Sequence, residues 1–183
     1  MTGITFVPLC SDCVGPDFFD RFVFRQAVTR CWRRAEGRLI LRPAAYVEDR
    51  SPAQRRELAA LVRACLREGG AGYGAFFRGE LAGFALLSPG RFGSKGQYID
   101  LAEFYVSEPL RHRGVGRELF RLACGAARRL GASRLYVSAH SAEETIAAYR
   151  RLGCIEAAEV NRALAEKEPF DIQMEYSLQG GPL

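Results

Sequence analysis

The run Arg111-His112-Arg113-Gly114-Val115-Gly116-Arg117 brings two glycines and three arginines together within seven residues. Glycine lets a backbone approach a ligand without side-chain interference and adopt positive φ. Guanidinium groups match the geometry of phosphate oxygens. If such a run opens a helix, its first amides have no intrahelical partner and carry the positive end of the helix dipole. Together these features describe a phosphate cradle. Other glycine-rich phosphate loops fit poorly: Gly-x-Gly-x-x-Gly is absent, and no Gly-Lys-Ser/Thr follows.

Three further residues could move protons. Asp100 and Glu103 lie just before the glycine run, and Tyr149 lies downstream in an amphipathic segment. A carboxylate could serve as a general base and a phenol as a proton donor. An odd separation puts Asp100 and Glu103 on opposite faces of a strand unless a bulge intervenes. Each carboxylate could equally be a solvated strand residue. A tyrosine at that spacing is commonly a core residue with a satisfied hydroxyl. The residues alone leave these alternatives open.

The elements around these residues must position them. Residues 98–106 read as a strand, and 118–130 repeat apolar residues at helical spacing, so the glycine run is a strand-to-helix turn. Arg134 to Ser138 reads as a strand, Ser141 to Leu152 as a helix stopped by Gly153, and 154–157 and 172–176 as strands around a short helix at 160–167. Upstream, Ser51-Pro52-Ala53-Gln54 predicts a helix start with a serine cap, proline at the first position and a capping-box glutamine; Gly69-Gly70 ends that helix. Strands are expected at 4–8, 72–77 and 81–88, with a loop from Pro89 to Gly96. The apolar spacing of Phe18, Phe19, Phe22, Val23, Val28, Cys31 and Trp32 predicts one or two helices over 17–32, and 39–46 is ambiguous because Pro43 interrupts it. No internal repeat or linker is evident, so the 183 residues read as one mixed α/β domain.

Composition narrows the class. Hydrophobic residues make up 48% of the chain, which excludes a disordered chain. No apolar run is long enough to span a bilayer. The N-terminal Met1-Thr2-Gly3-Ile4-Thr5-Phe6 lacks a basic leader with an apolar core, so a cytoplasmic location is expected. The net charge is +5, and only two of the 26 basic residues are lysines, Lys95 and Lys167. Seven arginines and one acid fall between 111 and 134, whereas six acids fall between 155 and 175. That asymmetry suits a polyanionic cofactor at one end and a cationic substrate at the other, against solvated faces as the alternative. Of six cysteines only Cys10 and Cys13 form a Cys-x-x-Cys pair, with neither a second pair nor a nearby histidine for zinc. All six are therefore expected to be reduced thiols, with no metal site.

Arg111-His112-Arg113-Gly114-Val115-Gly116 resembles the Arg/Gln-x-x-Gly-x-Gly/Ala signature of the GNAT superfamily of N-acetyltransferases. Ala148-Tyr149-Arg150-Arg151-Leu152-Gly153-Cys154 resembles that family's Tyr-x-x-x-Gly-Phe element, with Cys154 in place of phenylalanine. The resemblance covers roughly 71–160, weakens over 161–177, and is only architectural before 70. It implies a mostly antiparallel twisted sheet with helices on both faces, divided into an acceptor-side part (1–70), an acetyl-CoA-binding core (71–160) and a C-terminal strand region (161–183). It also implies direct acetyl transfer from acetyl-CoA to an amine, without a metal. Tyr105, Val106, Arg111, His112, Arg113, Gly114, Val115, Gly116 and Arg117 would bind the cofactor, Val106 through its amide. Tyr149 would protonate the leaving sulfur, and Glu103, Asp100 or water would be the base. Ser141 stands where many members carry an asparagine that contacts the cofactor; it would replace that contact or only cap the helix. His140 would line the acceptor site or sit in a plain loop. The implied partner is a small-molecule amine, with neither nucleic acid nor membrane, and a homodimer is allowed. The alternatives are a non-catalytic acyl-CoA-binding module and an enzyme for protein or peptide amines.

Overall fold

The computed structural model describes residues 3–179. Met1 and Thr2, part of the stretch read for a leader, and the last four positions of the 161–183 region lie outside the described residues. The chain runs β1 (Ile4–Leu9), β2 (Gln26–Ala35), β3 (Arg38–Glu48), α1 (Pro52–Arg67), β4 (Ala71–Phe77), β5 (Glu80–Phe92) and β6 (Tyr98–Val106). It continues through α2 (Val115–Arg129), β7 (Arg134–Ala139), α3 (Glu143–Arg151), β8 (Ile155–Glu156), α4 (Arg162–Lys167) and β9 (Ile172–Ser177).

Seven strands form one sheet in the order β1-β4-β5-β6-β7-β9-β8. Every neighbouring pair is antiparallel except β6 and β7, which are parallel. Period-two alternation sends Ala85 and Leu87 of β5 to one face and Phe84 and Leu86 to the other. The first face packs under α2 and α3 through Val115, Leu119, Phe120, Ala123, Ile146 and Tyr149. The second packs under α1 through Leu58, Ala59 and Val62. The capping box on α1 forms as expected: Gln54 N donates to Ser51 Oγ (3.3 Å), and Ser51 N donates to Gln54 Oε1 (2.8 Å).

The expected helices over 17–32 are not formed. Residues 14–25 are turns and irregular chain, and 26–35 are β2, paired with β3 in a separate two-stranded sheet. The aromatic spacing that looked helical serves a different packing. Phe19 and Phe22 are fully buried against Phe24 and Phe84, with ring centroids 4.5–6.3 Å apart. Burial of these rings decides the local path, and tertiary packing overrides helical periodicity. The ambiguous stretch 39–46 belongs to β3, where Pro43 stands opposite Arg30 beside a break in register.

The expectation of six reduced thiols is also corrected. Cys10 and Cys13 form a disulfide across a 3-10 turn (Ser11–Cys13), which brings their Cα atoms to 5.3 Å, within bridging range. Cys31, Cys65, Cys124 and Cys154 remain free. Among the described residues, no helix is long and apolar enough to cross a membrane, and no cluster of His, Cys, Asp and Glu is placed to hold a metal ion.

Replacing Phe19 by alanine is expected to cost about 3–5 kcal/mol in urea unfolding, because the fully buried ring leaves a cavity among aromatic neighbours. Phe18→Ala, at a half-buried ring, is expected to cost less than half as much. Equal losses would contradict this account of the aromatic cluster.

Candidate active site

β6 pairs with β7 over only three residues, Tyr98 to Asp100, and the two strands then part. On its other side β6 stays paired with β5 up to Val106. Ser107 N donates to Ala82 O (2.9 Å), so the next antiparallel pair, Gly83 and Val106, is a non-bonded one. The amides and carbonyls of Val106 and, two residues back, Phe104 therefore point away from β5 into the gap. Arg111 confirms the direction at one atom: its Nε donates to Val106 O at 3.1 Å.

The glycine run follows at the mouth of this gap. Gly114 caps α2 with φ 82°, a left-handed conformation that glycine adopts without strain. His112 is also left-handed, with φ 62°. Glu118 N is the first amide of the helix to reach a carbonyl, Gly114 O (3.2 Å). Among the described residues, the amides of 112–117 have no partner. Gly116 faces the gap: a Cβ there would lie 3.5 Å from Val106 Cγ2 and 3.6 Å from Phe104. Arg113 and Arg117 are exposed and make no ion pair among the described residues. Arg111 differs, because its guanidinium also donates to Arg25 O (2.9 Å) and ties the turn to the segment before β2.

The acid–base candidates sit around the same strand. Between β5 and β6 the register moves from Leu86–Glu103 to Leu87–Leu101, so Ala102 is an extra, bulged residue. The bulge puts Asp100, Glu103 and Tyr105 on the α1 face of β6, and Phe104 and Val106 on the α2 face. Tyr105, expected beside the cofactor, sits on the same face as the two carboxylates. Its backbone belongs to the bonded pair with Phe84, and its ring stacks on Phe84 (5.6 Å) on the face away from α2. Burial pushes the Asp100 carboxyl up to about 6, against a hydrogen bond from Ser88 (3.3 Å). Burial pushes Glu103 up to about 7, and Arg50, 3.7 Å away, opposes that rise. Glu103 accepts no hydrogen bond among the described residues.

Tyr149, on α3, is 8% exposed, and its ring lies 5.9 Å from that of Phe104. Burial raises its pKa well above the ordinary phenol value. Its hydroxyl has no partner among the described residues, yet it is not a sealed, unsatisfied atom. A core tyrosine commonly has its hydroxyl bonded, and this one keeps some contact with solvent.

Ser141 is buried and does not cap α3, whose N-cap is Ala142. Its Oγ accepts from Arg33 (2.6 Å) and its carbonyl from Trp32 N (2.8 Å), so it is engaged with β2. His140 Nδ1 accepts from Ala142 N (3.3 Å), while Nε2 lies 3.1 Å from Glu48 and 3.2 Å from Tyr46 OH. Glu48 raises the His140 pKa, and His140 holds Glu48 below the usual carboxylate range. Arg33, Tyr46, Glu48 and Arg50 thus join the site from β2, β3 and the residue leading into α1. Only three-dimensional pairing reveals them, since nothing in their local sequence marks them.

Asp100 and Glu103 bind protons more tightly in the folded chain than at their ordinary values of 3.8 and 4.5. The stability they lend is full below about pH 4 and is lost as pH rises through about 6 and 7. Wild-type protein is expected to lose more unfolding free energy between pH 5 and 8 than Asp100→Asn/Glu103→Gln. Parallel pH curves for the two proteins would contradict the burial of these carboxyls.

Three comparisons bear on this geometry. A family model described as Acetyltransferase (GNAT) family matches residues 28–154. Among curated proteins no match was found. Among solved structures, a nourseothricin acetyltransferase aligns over 97% of this chain and 99% of its own, with TM-score 0.70 and 20% identity. A GNAT family acetyltransferase from Elizabethkingia anophelis with acetyl-CoA bound aligns over 97% and 99%, with TM-score 0.59 and 15% identity. An aminoglycoside 6'-N-acetyltransferase complexed with coenzyme A aligns over 70% and 82%, with TM-score 0.53 and 14% identity.

Proposed function

The chain belongs to the GNAT acetyltransferase family, and on that premise we propose that it transfers an acetyl group from acetyl-CoA directly to a primary amine of a cationic small molecule. The observation that carries this reading is the unpartnered start of α2 standing against the free edge of β6. The residues fit the group: the amides of 112–117 and the unpaired Arg113 and Arg117 suit a pyrophosphate. The outward amides of Phe104 and Val106 suit an extended amide-bearing arm, and Val106 N–H suits polarising a thioester carbonyl. When bound, acetyl-CoA supplies the activated acetyl group. Arg111 holds the turn rather than the phosphates. Ser141 supports the hairpin contact. In this reading residues 71–160 serve the donor, and 1–70 with the loop near 89–97 shape the acceptor side.

The chain's own groups then handle two protons. An acceptor ammonium must lose one before its nitrogen can attack, and Glu103, ionised above about pH 7, can take it. Asp100 is the less suited base, being 8% exposed and already bonded to Ser88. Tyr149 can deliver a proton to the departing sulfur, because burial keeps its hydroxyl protonated and leaves it without another partner. No cysteine need act as a nucleophile. A cationic acceptor suits these carboxylates: Asp100 acts on Glu103, and Glu48 acts on Asp171. Two of the structural neighbours are named for nourseothricin and for aminoglycosides.

Acetyl-CoA at 100 times its Kd is expected to add about 2.7 kcal/mol of stability, read as a rise in melting temperature. A Cβ at Gly116 makes only ordinary contacts, so Gly116→Ala should keep the fold, and Gly116→Val, checked for a native far-UV spectrum, should lose that rise. A full rise in this variant would count against the cradle. In a CoA-release panel of polyamines, aminoglycosides, amino acids and peptide N-termini, the cationic small molecules should turn over. Release with peptides alone would favour a protein-modifying enzyme, and binding without any release a non-catalytic module. With the best acceptor, kcat/KM should climb through about pH 7, and Glu103→Gln should lower it roughly 100-fold or more and flatten that climb. Tyr149→Phe should lower kcat while leaving the acetyl-CoA thermal shift intact.

A further inference from the structure

Arg50 occupies a position that the acetyl-transfer reading does not use. It precedes α1 by two residues, 53 positions before Glu103 in sequence, yet its Nη2 lies 3.7 Å from Glu103 Oε2. Its backbone and side chain are both held in place. Arg50 N donates to Asp49 Oδ1 (2.7 Å), Arg55 Nε donates to Arg50 O (3.0 Å), and Arg55 also ion-pairs with Asp49 (3.6 Å). The guanidinium lies 5.4 Å from the ring centroids of both Phe24 and Tyr105, and its Nη2 donates to Tyr105 OH at 3.0 Å.

The division of labour at Arg50 matters. Its hydrogen bond goes to Tyr105, while at 3.7 Å it reaches Glu103 by charge alone. The carboxylate is therefore stabilised as an anion while its lone pairs stay free to accept a proton from something else. A direct bidentate bond would have occupied an acceptor site on each oxygen. The other charged or titratable groups facing Glu103 are Asp100 and Tyr105 on β6 and Lys167 on α4. Asp100 disfavours the ionised form. Lys167 favours it from an exposed side chain, where solvent screens its charge.

We propose that Arg50 is a positioning residue: fixed between Phe24 and Tyr105, it favours the ionised form of the buried Glu103 without occupying its oxygens. This rests on Glu103 being the base. Its test needs no acceptor, so it can fail separately from the acetyl-transfer reading. Glutamate Cδ is labelled with 13C and the carboxyl carbons are titrated by NMR, the Glu103 signal being identified by its loss in Glu103→Gln. In Arg50→Gln and Arg50→Met the Glu103 midpoint is expected to rise by about one pH unit, since an opposite charge at this range lowers a carboxyl by roughly 1–3. Arg50→Lys, which keeps the charge, should stay within a few tenths of wild type. Arg50→Met keeps an apolar stem over Phe24 and guards against a packing artefact in the glutamine variant. An unmoved midpoint in a neutral variant with a native amide fingerprint would overturn the proposal. So would a lysine variant that shifts as far as the neutral ones, or loss of the native fingerprint in both neutral variants, which would make Arg50 a folding residue.

Discussion

The parting of β6 from β7 after Asp100 leaves the second half of a central strand with hydrogen-bonding groups satisfied on one side only, and the site is organised around that unfilled edge. Backbone groups in a protein interior are nearly always paired, so an open edge inside a sheet is costly unless something else fills it. Part of the debt is met internally, where the Arg111 guanidinium takes Val106 O. The remaining outward amides, next to the bare first turn of α2, form a continuous strip of donors. An extended chain bearing carbonyls and phosphates complements such a strip.

Because β6 is a strand, it serves two chambers at once. Phe104 and Val106 face α2 and α3, where Tyr149 stands over the gap. Glu103 and Tyr105 face α1 and the aromatic cluster. A strict alternation would have divided Asp100 from Glu103, and the single extra residue Ala102 brings both carboxyls to the same side. Their burial is the reason they titrate near neutral pH, and it carries a cost: the folded chain is less stable with both ionised. That cost is concentrated where proton transfer would take place, a pattern expected of functional sites.

The proposed acceptor side owes its shape to a segment without regular helix. The aromatic residues at 18, 19, 22 and 24 fold into a cluster that supports Tyr105 and Arg50, and the β2–β3 hairpin docks on the chain leading into α3 through Trp32, Arg33 and Ser141. The hairpin also carries Tyr46 and Glu48 to His140. Charge on this wall is thus assembled from four separated stretches of chain.

Much of the donor side was legible in the sequence. The strand at 98–106, the glycine turn, the helix after it, the capping box at Ser51 and the tyrosine helix all form as read, because each depends on local chemistry: periodicity, a cap, or a glycine at positive φ. The sequence also identified both carboxylates and named the bulge as the deciding question. What it could not supply was anything set by contact at a distance. The bulge at Ala102 is a matter of register with β5, the parting of β6 from β7 a matter of sheet order, and the charge state of Glu103 a matter first of its burial and then of where Arg50 comes to rest. The spacing of Phe18, Phe19 and Phe22 was equally compatible with a helix, and only burial against Phe84 decided otherwise. Local propensity chose the strand, the glycine turn and the helices around it; long-range packing chose the wall of Arg33, Tyr46, Glu48 and Arg50, because its residues have no common pattern until the fold brings them together.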